Sequence, residues 1–361
     1  MKKRLDNTGK PDILDDSSLN HLLKYRVNGM AQTKKKTGLA DIAKLAGVSS
    51  AAVGKVLNGG GASIRVGAAT RERILNAAKE LHYRPSMAAS ILAGGSSRLV
   101  GLIFGCHGTY RNEKLIASLD QSAVERNYSL ISGYTDYDPE KFRKVLNTYL
   151  AYDVESIIVI GGTDLPELGI CPAQLSPITD RLVFFWKPDL KTDCYLETDL
   201  LGAMKEFIGD AHRRGFRRLG LLTGNTKYRE ERCRGTTYLE AHRMLDLPAE
   251  ESLICPMLGS EIDPFPAEFE EKLMDYIRAA KPDHLFIDDA YNALHVHFLL
   301  HKNGIDMPIQ GGNDDPVFRT AVPVIPSFDP CYPEIADSLL DMALKRKNGP
   351  VTVKTHYIRN T

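Results

Sequence analysis

Leu39-Ala40-Asp41-Ile42-Ala43-Lys44-Leu45-Ala46-Gly47-Val48-Ser49-Ser50-Ala51-Ala52-Val53-Gly54-Lys55-Val56-Leu57-Asn58 is the stretch on which the reading of this chain turns. Leu39, Ile42, Ala43 and Ala46 recur at the spacing of one helix face, and Gly47 supplies the C-terminal stop. Val48 opens a second unit after a very short turn. Ser49 stands where its hydroxyl can accept from an otherwise orphaned backbone N–H of that second helix. With Val53, Val56 and Leu57 facing inward, Ser50, Ala51, Gly54 and Lys55 point outward from its first turns. Two helices so joined form a helix-turn-helix, whose second helix is the element that meets base edges in a DNA major groove. A third helix is expected from about Ala69 to Leu81, with Ile74, Leu75, Ala78 and Leu81 as its buried stripe.

Downstream of it, Tyr83-Arg84-Pro85 leads into Ser86-Met87-Ala88-Ala89-Ser90-Ile91-Leu92-Ala93-Gly94-Gly95. Proline at a first helical position and a glycine pair as the stop delimit a helix of about two turns, too short to be stable alone in water. Such a helix forms against a partner. Presented by two subunits together, an apolar side chain on it can wedge between base steps from the minor groove and bend the duplex.

Charge agrees with this reading once it is divided along the chain. The 361 residues carry 46 Lys and Arg against 46 Asp and Glu. Between Ala31 and Arg98, however, eleven basic residues face three acidic ones, an excess of eight that the remainder must balance. That asymmetry suits one segment made for a polyanion and a larger one that is not. The length allows two or three cores. The six cysteines show neither C-x-x-C spacing nor clustering with histidine, so a zinc site and a disulfide framework are not indicated and a reducing compartment fits. No run reaches the length of a membrane span and no signal peptide is evident. The expected location is therefore cytoplasmic, at the nucleoid. Residues 1–36 read as a disordered arm, with Met30 an alternative start to Met1.

Beyond Arg98 the pattern changes to apolar strands alternating with helices. Strands are expected at Val100–Phe104, Ser129–Ser132, Ser156–Ile160, Leu182–Phe185, Leu219–Leu222, Leu253–Cys255 and His284–Ile287. Such strands indicate parallel sheets with covered faces. Their number exceeds one doubly wound unit, so two Rossmann-like lobes around a cleft are expected. A ligand would sit at the carboxyl ends of the strands.

The stretch at 39–58, with Thr70-Arg71-Glu72-Arg73-Ile74 and the run from Tyr83 to Gly95, resembles the lactose/galactose repressor (LacI/GalR) family. The resemblance extends more weakly to Thr198-Asp199-Leu200-Leu201-Gly202, the Arg213–Arg218 helix end, Arg232-Cys233-Arg234-Gly235 and Gly312-Asn313-Asp314-Asp315. It implies base reading by Ser50, Ala51 and Lys55 and minor-groove insertion by Leu92, and Ser49, Asn58 and Arg84 join the expected DNA-facing set. The chain departs from the family at Ala52, Gly54, Lys55 and Ser90, where a phosphate or base contact would be removed or weakened. Lysine lacks the planar fork with which arginine grips guanine. The family pattern further implies a helix-turn-helix domain at 37–84, a hinge helix at 85–97, and a periplasmic-binding-protein-like effector and dimerisation domain at 98–361.

For the effector the resemblance points to Arg232, to Asp314, and to Asp288 where relatives commonly have Asn. An arginine flanked by carboxylates suits a polyhydroxylated ligand, which needs donors and acceptors both. Trp186, the single tryptophan, falls where many relatives have Asp. It could stack on a pyranose face or close the pocket, and plain packing is a third role. Arg232 alternatively makes a surface salt bridge, and Asp288 alternatively caps the helix that follows. His295, His297 and His301 have no acidic or cysteine partner at ligand spacing, so no metal is expected. Asp288, Asp289, Asp314 and Asp315 could shuttle protons, but no nucleophile elbow, P-loop or dinucleotide fingerprint accompanies them. The expectation is a regulator without cofactor or catalysis, a homodimer on a pseudo-palindromic operator, whose affinity a carbohydrate modulates. The rival readings are a DNA-binding protein with no effector and a sugar-binding protein with no DNA role.

Overall fold

The structure, a computed structural model, describes residues 37–58, 66–84, 91, 95–105, 110–161, 165, 170–224, 229–256, 268–287, 290–347 and 349–358, the side chains of 58 and 229–233 excepted. The chain divides into two compact units, Met1–Gly95 and Ser96–Thr361. The expected arm at 1–36 and most of the expected hinge helix at 85–97, Leu92 included, lie outside the described residues.

In the first unit α1 (Leu39–Ala46), α2 (Ser50–Asn58) and α3 (Ala68–Glu80) surround one small core. Asp41 accepts from the Gly38 N–H at 2.8 Å and so closes the start of α1. Gly47 ends it in the left-handed region, φ 65°, donating to the Ala43 carbonyl. Ser49 Oγ accepts from the Ala52 N–H at 3.3 Å, the expected cap of α2. Ile42, Val53 and Ile74 are fully buried where the three helices meet.

One expectation within this unit needs correction. The buried face of α3 runs through Ile74, Ala77, Ala78 and Leu81, whereas Leu75 is 45% exposed. A residue next to a buried one is turned about 100° around the axis, and among the described residues that side is left open. Ala52 is also buried. The departure from the family there therefore falls at the edge of the core.

The second unit consists of two parallel sheets. The first holds β1 (Leu99–Phe104), β2 (Ser129–Tyr134), β3 (Ser156–Ile160), β4 (Leu182–Phe185), β5 (Tyr195–Asp199) and β11 (Val351–Lys354), in the order β11-β5-β4-β3-β1-β2. Alternate residues pack to opposite faces, as the pleat requires. Val100, Leu102 and Phe104 meet α4 (Tyr110–Glu125) and α10 (Tyr332–Ala343), while Ile103, Ile157 and Val159 meet α5 (Pro139–Ala151). At Gly101 any side chain would strike the Tyr149 ring, which lies against β1 with its hydroxyl donating to the Leu102 carbonyl at 2.9 Å.

The second sheet, β7-β6-β8-β9, comprises β6 (Leu219–Leu222), β7 (Ile254–Cys255), β8 (His284–Ile287) and β9 (Ile309–Gly311). It is covered by α6 (Leu201–Arg213) and α7 (Arg229–Met244) on one face and by α8 (Phe269–Ala280) and α9 (Ala290–Lys302) on the other. A short antiparallel pair, β10 (Ser327–Asp329) with β12 (His356–Ile358), adds Phe328 and Tyr357 to the α6 side. The chain passes between the lobes after β5, between β10 and α10, and between β11 and β12. The two-lobed α/β architecture is the expected one. The strands β5, β9, β10, β11 and β12 were not among those expected.

Candidate functional site

The first unit offers the face on which α2 begins. Ser49, Ser50 and Ala51 are exposed at its start, and Lys55 and Gly54 follow half-buried one turn later. Gly47 and the Ser49 cap hold α2 at a fixed angle to α1, and Thr37 Oγ1 donates to the Leu81 carbonyl at 3.3 Å, tying the chain's entry to the end of α3. Arg84 is exposed beyond α3. Asn58 closes α2, its side chain outside the described atoms. This arrangement presents small polar groups and basic side chains at a helix start, the shape and charge that a duplex groove accepts.

In the second unit a cavity of about 360 Å³ opens at the carboxyl ends of the strands. Phe185 and Trp186 at the end of β4, Glu197 and Asp199 of β5, and Arg111 and Tyr332 at the starts of α4 and α10 form one wall. Arg234 and Thr237 of α7, with Gly312 and Asn313 after β9, form the other. A second hollow of about 960 Å³ lies at the amino ends of β8 and β9, lined by Arg214, His284, His297 and His301 among apolar residues. Although larger, it stands at the wrong end of the strands for the ligand site of a parallel α/β fold, so the smaller cavity is the candidate.

Trp186 lines this cavity with its backbone at φ 84°, a region that bulky residues occupy only under constraint. Its indole Nε1 is buried without a hydrogen-bond partner among the described residues. Asp199 is partly engaged, one oxygen accepting from the Leu201 N–H at 3.0 Å at the start of α6. The wall thus combines donors from two arginines with two carboxylates, a balance that fits a neutral ligand rich in hydroxyls.

The expected effector residues fare differently. Trp186 is in the wall. Arg232 lies on α7, its side chain outside the described atoms, and Asp288 lies outside the described residues. Asp314, next to the cavity-lining Asn313, pairs with Arg319 at 2.9 Å and accepts from Ser327 Oγ at 3.2 Å. Asn313 lines the cavity, and successive left-handed residues, φ 67° at Asn313 and 42° at Asp314, turn the chain there. Arg111, Glu197, Arg234, Thr237 and Tyr332 were not foreseen. Arg111 and Tyr332 stand at helix starts, which is a sequence signal, whereas Arg234 and Thr237 lie within α7 and Glu197 within β5, which has too little apolar character to stand out as a strand.

Two groups near the cavity titrate abnormally. Burial pushes the Asp315 carboxyl above the usual range; Asp314 and Glu113 add to the effect, against the Val317 N–H and Lys114. Burial likewise raises the Tyr110 hydroxyl, with Asp315 and Asp314 adding and Lys114 opposing. Among the described residues no group of three or more His, Cys, Asp or Glu is placed to hold a metal ion, and no helix is long and apolar enough to cross a membrane.

Comparison with known proteins bears on both units. Residues 38–86 match the family model described as bacterial regulatory proteins, lacI family. The sucrose operon repressor of Klebsiella pneumoniae is 37% identical over 125 residues, 35% of this chain and 37% of that protein. The ribose operon repressor of Haemophilus influenzae is 29% identical over 192 residues, 52% of this chain and 55% of the other. These matches thus span between about a third and just over half of the curated relatives' length, and these relatives are named as repressors, not enzymes. Among solved structures, the lac repressor dimer bound to operator and the anti-inducer ONPF superposes with a TM-score of 0.75 at 17% identity, covering 90% of this chain and 98% of that one. A CelR–cellobiose complex gives 0.59 at 21% identity, covering 90% and 99%. At such identities the likeness is one of fold.

Proposed function

We propose that this chain, a member of the lacI family of bacterial regulatory proteins by its residues 38–86, is a sequence-specific DNA-binding transcription repressor whose operator affinity is set by a sugar in the inter-lobe cavity. The observation that carries the reading is the exposed start of α2, with Ser50 and Ala51 outward while Ala52 and Val53 are buried. On this reading Ser50, Ala51 and Lys55 meet base edges. Ser49, Asn58 and Arg84 approach the backbone, and Leu92 enters the minor groove. Two copies pair on a pseudo-palindromic operator through 98–361, residues 85–97 link that domain to the head at 37–84, and 1–36 is an arm ahead of it. The protein works in the cytoplasm, at the nucleoid, without catalysis.

The sugar repressors among the relatives and the fold of the cellobiose complex support a carbohydrate effector. So does the cavity, where Trp186 offers an apolar ring beside Arg234, Glu197, Asp199 and Asn313. Closure of the lobes around a sugar would bias the DNA-binding equilibrium by a coupling of about 1–3 kcal/mol. The test is a mobility-shift titration on the chain's own upstream region at low ionic strength, with and without a panel of mono- and oligosaccharides. A shift that at least one sugar strengthens or weakens is expected. No shift on any fragment overturns the DNA-binding half, and a shift that no sugar alters overturns the effector half.

A further inference from the structure

We propose that the hollow at the amino ends of β8 and β9 is a second ligand site, built for a small organic anion in which an apolar body carries one carboxylate. It measures about 960 Å³, at the upper end of what ligand pockets span, and shares no lining residue with the cleft cavity. Its lining is of two kinds. Arg214 follows α6, His284 opens β8, and His297 and His301 stand four residues apart on α9, hence on one helix face. Ile305 and Met307 before β9, with Val322, Val324 and Ile325 before β10, supply the apolar part.

The polar part is held in place by one aromatic ring. The Arg214 guanidinium lies over Phe216, 5.2 Å from the ring centroid, and the His284 ring meets the same phenylalanine in a T-shaped contact at 5.1 Å. Arg214 has a distant carboxylate neighbour, Asp210 at 3.9 Å, and its side chain is 40% exposed. Its planar fork of donors can therefore take both oxygens of a ligand carboxylate. His284 is 2% exposed, and its Nδ1 has no hydrogen-bond partner among the described residues. A buried polar atom so placed costs stability until a bond reaches it, and this one belongs to the wall of the hollow. Across from these groups, Val322 is 88% exposed, an apolar surface that the body of a ligand would cover. The charges select the head. Arg214 is the one permanent cation in the lining and Asp306, exposed, the one carboxylate, so a single negative charge is matched and a doubly charged phosphate is not. Burial holds the His284 imidazole down to about 4, so at neutral pH it offers a hydrogen bond and no charge.

The experiment follows the histidine ring NMR signals of the full-length protein, assigned by single substitutions, during titration with phenylbutyrate, octanoate and benzoate. At least one of these anions should move the His297 and His301 signals to saturation. Its affinity should exceed about five- to tenfold that of phenylbutanol, which has the body without the charge, and of acetate, which has the charge without the body. Arg214→Gln should weaken binding by about the same factor. Val324→Asp, at an exposed position where folding is not at stake, should weaken it too, with far-UV circular dichroism unchanged. The proposal is overturned if none of the three anions moves the ring signals, if phenylbutanol binds as well, if phenyl phosphate binds more tightly, or if both variants bind as before. Signals that change with protein concentration alone also overturn it, since a second copy of the chain then covers this face. The assay uses neither operator nor sugar, so its result is independent of the proposed regulatory function.

Discussion

The backbone N–H of Trp186 donates to the Leu196 carbonyl at 2.7 Å, and this bond between the end of β4 and β5 holds the single tryptophan left-handed, φ 84°, in the cleft wall. A residue kept in so sparsely populated a conformation marks a place where the surrounding structure outweighs local preference.

If that ring packs against a sugar, Trp186→Ala should weaken sugar binding about two- to tenfold, the scale of a ring contact worth about 0.5–1.5 kcal/mol. Isothermal titration measures it. In the unaltered protein the same sugar should shift Trp186 emission. Equal affinity in the variant would return Trp186 to the role of a packing residue.

Lys55→Ala should weaken specific operator binding by about 1–3 kcal/mol and relax the preference at one base position, if Lys55 reads a base. Fluorescence anisotropy on operator and scrambled duplexes separates this from a phosphate contact. A loss equal on both duplexes, with a salt slope reduced by about one, would mark the latter.

Gly101→Ala should destabilise the second unit by about 1–3 kcal/mol, the usual penalty of overpacking, because the added methyl meets the Tyr149 ring and that ring is held to Leu102. Urea unfolding of the full chain checks this. A variant of unchanged midpoint would mean that Tyr149 can move aside.

Acid stability should follow His284. Burial, aided by the charge of Arg214, holds its imidazole down to about 4 from an ordinary 6.5. Between these values the unfolded chain binds a proton that the folded chain refuses. The contribution of His284 is thus fully present above pH 6.5 and falls as the pH drops toward 4, by roughly 1.4 kcal/mol per unit within that window. His212 and His242, also held low by burial, act in the same direction, and Asp315, pushed up, opposes them. Melting temperatures between pH 7 and 4 should decline, and less steeply for His284→Phe. A parallel decline in that variant would assign the acid limb elsewhere.

On α9, Tyr291 is 56% and Phe298 60% exposed, seven residues apart and so on one helix face. Pairing of two copies through 98–361 should cover such a face. Phe298→Glu should then shift the protein toward monomer in size-exclusion chromatography with light scattering, and operator affinity should fall with it. A dimer of unchanged strength would place the pairing surface elsewhere.

The head was legible almost residue by residue because its determinants are local. A helix satisfies its hydrogen bonds within a few residues, so the spacing of Leu39, Ile42, Ala43 and Ala46, the stop at Gly47 and the cap at Ser49 each act where they stand in the chain. Leu75 departs from expectation because it adjoins the buried Ile74 on a helix whose inner face is decided by what packs on it. The continuous apolar strands, Ser156–Ile160 or Leu182–Phe185 for example, were equally plain, since burial on both faces leaves almost no polar residue in them.

The cleft was another matter. Its wall is assembled from Arg111, Trp186, Glu197, Arg234 and Asn313, which no local spacing relates. Residues 351–354 join the first sheet as β11 only through hydrogen bonds to β5, with Val351 opposite Leu196. Asn313 reaches the cavity wall from a loop in which two successive left-handed residues turn the chain. Amino-acid order by itself therefore determined the three helices of the head and the two-lobed class, since hydrogen bonds and burial patterns of short range encode them. Which side chains share the cavity, and which charges oppose each other across it, depended on strand pairing between distant segments, and those long-range contacts exist only once the chain has folded.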